Sequence, residues 1–244
     1  MTTPTTETQA SKKAKTGGNH ANTNTKNLRS LSHGLSWALR HAAVELDLTM
    51  TPDGYVPVDE ILTCSHKKLR GCTLPAIQAV VETSDKQRFK LLEKPADHGT
   101  VLCIRANQGH TLSIVDPEQL LTRLEPAELA ALPVIVHGTY QAPYQQIGKT
   151  GLNCMKRHHI HCAAGMPEHN GVISGMRKSC DVCIYIDGRK CSEAGITFYK
   201  SDNGVLLTAG VDNQGTLPVE YFSHVTDREG KVLLDQRGTS IRGS

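Results

Sequence analysis

The chain has 244 residues, with 38% hydrophobic and 21% charged side chains and a formal charge of +3. No run approaches the roughly 18 to 20 apolar residues of a membrane span, and the N-terminus has no apolar core of a secretory signal. The first 27 residues hold four lysines against one glutamate, so the rest is formally neutral and polyanion binding must rest on a local cluster.

Residues 1–27 are Thr, Lys, Asn, Gly and Ala, and read as a disordered tail. From Leu28 the pattern turns helical: Leu31, Leu35, Ala38, Leu39, Ala42 and Leu46 recur at spacings of three and four. The turn residues Asp53-Gly54 end that run. "VPVDEILTCS" and "TLPAIQAVVET" read as two short helices. "SDKQRFKLL" and "GTVLCIRA" read as two strands around the loop "EKPADH". Helices followed by a two-stranded wing predict a winged-helix-like lobe over 28–117.

Residues 118–132, polar and punctuated by Pro126, read as a partly helical connector. Over 133–228 short strands dominate: "VIVHGTY", "RHHIHCA", "CDVCIYID", "ITFYKSD", "VLLTAG" and "LPVEYFSHV". Two helical pieces intervene, "APYQQIGKTG" and "GRKCSEAG". This density predicts a β-sandwich or split barrel. Residues 229–244 read as a C-terminal tail. The fold class expected is therefore α+β.

Eight cysteines lie at 64, 72, 103, 154, 162, 180, 183 and 191. They read mostly as free thiols of an intracellular protein, cytoplasmic or nuclear. Cys180 and Cys183 form a lone C-x-x-C without a second pair, so no metal site is expected. If "RHHIHC" is a strand, His158 and Ile160 face one side and His159 and His161 the other. The carboxylates of the second half sit in turn contexts such as Asp187-Gly188 and Asp202-Asn203-Gly204, which turn propensity explains. There is no dinucleotide-binding G-x-G-x-x-G and no P-loop.

Arginine beside histidine is what stands out. Arg40-His41 closes "SWALRH", and Arg157-His158 opens the later strand. Lys86 and Arg88 lie two apart on a supposed wing strand, and Arg105 and His110 lie in "IRANQGH". Guanidinium forks match phosphate oxygens bidentately, so convergence of these groups would make a phosphate site.

Nine segments in order resemble the NAD-dependent RNA 2′-phosphotransferase family. They are "LSHGLSWALRH", "DGYVPVDEIL", "KQRF", "IRANQGH", "HGTY", "GLNCMKRHHIH", "VISGMR", "CIYID" and "FYKSDNGVLLTAG". Departures are modest: Tyr144 stands where a Trp is usual, Cys162 where an aromatic is common, and His33-Gly34 where Ser-Lys is more usual. The resemblance implies a winged-helix RNA lobe and an ADP-ribosyltransferase-like NAD lobe. It implies transfer of an internal splice-junction 2′-phosphate of RNA to NAD in two steps, the last step of tRNA splicing. The products would be 2′-OH RNA, ADP-ribose 1″,2″-cyclic phosphate and nicotinamide.

By that resemblance Arg40, His41, Arg88 and Arg157 are the catalytic set. His137, Gly138, Thr139, Gly151, Leu152, Ser174, Gly175 and Arg177 line the NAD site, and Lys86, Arg105 and His110 contact RNA. NAD is a co-substrate, no metal is required, and a monomer is expected. Two alternatives stand beside this reading: an ADP-ribosyltransferase that caps phosphorylated nucleic-acid ends, and a non-catalytic RNA- or NAD-binding protein.

Overall fold

A computed structural model describes residues 18–165, 176, 177 and 179–236 of the chain. Helix α1 spans Gly18–Trp37 and runs on through a π-helical turn, Ala38–Ala42. It starts well before Leu28, so residues 18–27 belong to a helix and not to the expected tail; residues 1–17 of that tail lie outside the described residues. Leu35, Ala38, Leu39, Ala42 and Ala43 are buried, as the spacing predicts.

Strand β1 (Val56–Pro57) leads directly into α2 (Val58–Thr63). Helix α3 (Leu74–Glu82) begins at Thr73, whose hydroxyl accepts the Ala76 N–H, with Pro75 in its first turn. Strands β2 (Phe89–Ala96) and β3 (Gly99–Ala106) pair in continuous register from Phe89–Ala106 to Ala96–Gly99. The supposed loop "EKPADH" is thus mostly strand, closed by a tight turn. Strand β1 adds to the other side of β3, giving the order β1-β3-β2.

The connector, expected to be partly helical, is so and also carries a short strand. It holds α4 (Pro117–Leu120), β4 (Thr122–Arg123) and α5 (Pro126–Ala131). Asp116 caps α4 through the Glu118 N–H. A capping box between Glu125 and Glu128 starts α5.

Then follow β5 (Val136–Thr139), α6 (Gln141–Thr150), β6 (Leu152–Asn153), β7 (Ile160–Cys162) and β8 (Val182–Ile186). Helix α7 (Gly188–Glu193), β9 (Phe198–Lys200), β10 (Leu206–Thr208), β11 (Thr216–Leu217), β12 (Phe222–Asp227) and β13 (Val232–Asp235) complete the order. One antiparallel sheet runs β4-β9-β10-β7 and another β13-β12-β8-β5, with β11-β6 a short pair beside them. A bridge between Val136 and Ala163 joins the two larger sheets. Strand β13 pairs with β12, so the expected tail is partly sheet, and residues 237–244 lie outside the described residues.

Two main apolar clusters result. The first gathers α1, α2, α3 and the β1-β3-β2 sheet, and takes in Tyr199, Val205 and Leu207 from β9–β10. The second lies under the later sheets, around Phe198, Phe222, Ile160 and Ile184. The β9–β10 hairpin therefore serves both cores. Its tip ties down the first sheet with polar bonds: Asp202 pairs with Arg105 at 2.7 Å and Lys90 at 2.8 Å, and Asn203 Nδ2 donates to the Lys86 carbonyl at 2.8 Å.

Cys183 is a buried strand residue of β8, with no second C-x-x-C beside it. No helix among the described residues is long and apolar enough to cross a membrane.

Gly34 has a packing reason. A Cβ there would run into the Lys68 carbonyl oxygen, so α1 lies directly against the loop after α2. Gly34→Ala should destabilise the chain by about 1 to 3 kcal/mol through overpacking. Urea unfolding of the variant measures this; an unchanged midpoint would show that the loop yields freely.

Candidate active site

Arg40 and His41 sit on the π-helical turn that ends α1. Such wider turns often occur at functional sites. Here adjacent residues diverge: the Arg40 Nε is buried, while the His41 side chain reaches solvent. The loop after β3 holds the turn, because the Thr111 N–H donates to the Arg40 carbonyl at 2.9 Å. The Thr111 hydroxyl lies 3.3 Å from that carbonyl and 3.0 Å from His41 Nδ1. With the hydroxyl donating to the carbonyl, His41 Nδ1–H donates to Thr111 and Nε2 keeps its lone pair. Thr111 is a site residue that sequence reasoning missed; its only signal is a place just after "NQGH".

Arg40, Arg88 and Arg157 converge. Burial, then Arg157, then Arg88 lower the Arg40 pKa to about 10, so the group stays charged near neutrality. Burial, then Arg40 and Arg157, also lower His41. Arg157 is lowered by partial burial and by Arg177. Among the described residues none of Arg40, Arg88 and Arg157 has a carboxylate partner. The buried Arg40 Nε has no hydrogen-bond partner either. Three like charges with an orphaned donor are costly unless an anion joins them.

The local placement differs from the expected strands in two respects. Lys86 and Arg88 precede β2, in a turn where Gln87 has φ 40° and the Asn107 amide holds the Gln87 carbonyl at 2.7 Å. Arg88 Nη1 donates to Ser84 Oγ at 3.3 Å, and Lys86 Nζ donates to the Met176 carbonyl at 2.8 Å. In "RHHIHC" only Ile160–Cys162 is strand. Arg157 lies in the turn before it, so strict alternation holds for neither His158 nor His159.

Arg105 and His110 are corrections. Arg105 is 7% exposed, paired with Asp202 and stacked over Tyr55 at 4.7 Å. His110 is 2% exposed, and burial holds its pKa at about 3. Both face the interior, where RNA has no access.

A histidine layer backs the site. The Gly109 backbone lies over the Arg40 side chain and the His161 ring. His161 Nδ1 lies 3.0 Å from the His159 carbonyl, to which it must donate. Burial first, then Arg157 and Arg40, hold His161 at about 3, so the ring is neutral. Its Nε2 lies 2.8 Å from Gln108 Oε1, and a neutral Nε2 accepts from that amide only once the amide is turned to offer its NH₂. Gln108 is a second residue that the sequence reading passed over.

On the dinucleotide side, His137 Nδ1–H donates to the His161 carbonyl at 2.8 Å, which leaves Nε2 as acceptor. Thr139 is buried at the end of β5. Arg177 is exposed between Arg157 and Tyr140, whose hydroxyl is lowered by hydrogen bonds from Ser179 and Arg177.

Gly138, Gly151 and Leu152, expected at the NAD site, are accounted for by packing. A Cβ at Gly138 would lie 2.8 Å from Met176 Sδ and 2.9 Å from Cys180 Sγ, so this glycine lets that segment approach β5. Gly151, at φ 85°, lies against the backbone of Leu217 and Pro218. Leu152 is 1% exposed, in the second core. Ser174 and Gly175 lie outside the described residues. Among the described residues no three His, Cys, Asp or Glu side chains gather as a metal-binding group.

Residues 26–210 match the RNA 2′-phosphotransferase, Tpt1 / KptA family. This chain belongs to that family. It is 45% identical over 194 residues to tRNA 2′-phosphotransferase 1 of Bos taurus, covering 79% of this chain and 72% of that one. It is 42% identical over 207 residues to tRNA 2′-phosphotransferase 1 of Danio rerio, covering 85% and 88%. A Schizosaccharomyces pombe relative is 43% identical over 208 residues, and there the chain spans about half of the relative's length, 54%.

The buried histidines of this RNA 2′-phosphotransferase family member make stability depend on pH. The unfolded chain protonates its histidines as pH falls through about 6.5. His110 and His161 resist until about 3, and His159 until about 4. The unfolded state then binds more protons, so stability falls as pH drops below 6.5. Each histidine should cost about 1 to 2 kcal/mol between pH 7 and pH 5. Urea melts at the two pH values measure it; equal midpoints would mean that these rings reach water.

Proposed function

We propose that this RNA 2′-phosphotransferase moves an internal 2′-phosphate of RNA, as at a tRNA splice junction, to NAD as co-substrate. The observation that carries the reading is the convergence of Arg40, Arg88 and Arg157 with no carboxylate among the described residues to neutralise them. A dianionic phosphate fits that deficit, and its own oxygen is a ready nucleophile.

The donor set also suits the dinucleotide. The exposed Arg177 and the half-buried Tyr140 offer donors for its phosphates beside Arg157, and His137 offers a neutral imidazole. In the first step a 2′-phosphate oxygen bonds to the ribose C1″ of NAD, and the bond to nicotinamide breaks with its electron pair leaving on nicotinamide. In the second the 2″-hydroxyl oxygen bonds to phosphorus and the bond to the RNA 2′-oxygen breaks. The proton of the 2″-hydroxyl ends on that 2′-oxygen.

Arg40 supplies a fixed, desolvated charge to the phosphoryl oxygens, where electrostatic stabilisation is strongest. Arg88 and Arg157 close on it from separate elements. His41, kept neutral near pH 7 by burial and its guanidinium neighbours, carries the proton through Nε2. Thr111 fixes that tautomer. The element order helix, strand, helix, helix, hairpin supports a winged-helix-like first lobe, and the packed antiparallel sheets support an ADP-ribosyltransferase-like second lobe.

Arg157→Ala should lower turnover of a 2′-phosphorylated oligoribonucleotide with NAD by about 10² to 10³. The thermal melt should stay unchanged, because much of the Arg157 side chain is exposed and no ion pair is lost with it. Product analysis for cyclic phosphate and nicotinamide is the assay, and near wild-type release would remove Arg157 from the chemistry. Turnover should also persist in excess EDTA; loss restored by added metal would overturn an account in which arginines alone neutralise the phosphate. A stable ADP-ribosyl adduct without cyclic phosphate would point instead to end-capping.

A further inference from the structure

A groove of about 590 Å³ runs between α1 and the C-terminal end of α3. Arg29, Ser32 and Ser36 line it from α1, and Ser84, Asp85 and Arg88 from the opposite wall. Ser32, Ser36 and Arg40 are spaced by four, so they follow one face of the helix toward the π-helical turn. From Arg29 to Arg40 the helix rises about 16 Å. Arg88 lines the groove and also depresses Arg40, so one end of the groove opens on the arginine cluster.

The chemistry of the walls is selective. Hydroxyls, guanidinium groups, Lys86 and His33 share the walls with the apolar Leu28 and Val80, and Asp85 is the one carboxylate among the described lining residues. Among the described residues no Phe, Tyr or Trp lines it, and His33 is the single ring there, so it offers no row of aromatic platforms for successive bases. Serines and arginines are donors to phosphate and sugar oxygens, which carry no sequence information.

From this we infer that the groove holds the RNA strand flanking the reacting nucleotide, gripped through backbone phosphates by Arg29 and the α1 serines. The inference rests on the proposed function, since it extends the same substrate away from the reacting phosphate. It replaces the inward-facing Arg105 and His110 as the RNA contacts. It also makes recognition depend on strand length and salt, and tolerant of base sequence.

The test compares a 2′-phosphorylated dinucleotide with 2′-phosphorylated decamers extended to either side, with NAD present. The wild-type KM should be lower for at least one decamer than for the dinucleotide. Arg29→Glu should raise that decamer's KM about tenfold relative to the dinucleotide's, with kcat held, and reduce the salt slope by about one. Ser32→Glu should act in the same direction. Arg29→Gln, which cannot repel phosphate, should give a smaller change of the same kind if charge reversal loosens the helix. Wild-type turnover of all substrates with no length preference, or variants that affect both lengths equally, would overturn the groove alone. No cyclic phosphate from any of them would overturn the proposed function and the groove with it.

Discussion

The structure depends on holding three guanidinium groups together against their own repulsion. Arg40, Arg88 and Arg157 come from a helix end, a turn before a strand, and a turn before another strand. None of these positions is held by attraction between the groups. They are held by the two apolar cores and the polar ties between them, and burial first, then repulsion from Arg157 and Arg88, lowers the Arg40 pKa. Packing energy thus sustains a cluster of like charges that has no carboxylate partner among the described residues.

The ties between the two halves explain how that is achieved. Tyr199, Val205 and Leu207 of the β9–β10 hairpin pack into the first core, and its tip bonds Arg105, Lys90 and the Lys86 carbonyl. Lys86 also reaches the Met176 carbonyl. Arg88 follows two residues later, so its position is set by the same clamp. A buried charge such as Arg105 therefore has a structural task, and its partner Asp202 sits in a turn that local propensity alone would explain.

Much was legible because the signals were local. The apolar stripe from Leu28 to Ala42 and the short helix read in "TLPAIQAVVET" depend on neighbours in sequence. The errors share a different cause. Strand β4 in the supposed connector and β13 in the supposed tail exist because distant strands accept their hydrogen bonds, β9 and β12 respectively. The histidine strip read as one strand, yet only its last three residues find a partner in β10.

The sequence by itself determined the residue types that could hold a phosphate, the helix that carries Arg40 and His41, and the resemblance to a family. It could not say which basic groups face solvent, because burial is a property of what packs around a residue. Tertiary structure sent Arg105 and His110 inward, brought Arg88 to Arg40, and added Thr111 and Gln108 to the site. Charge is written in the chain, but whether a charge is paired, desolvated or left seeking an anion is decided only when separate elements meet.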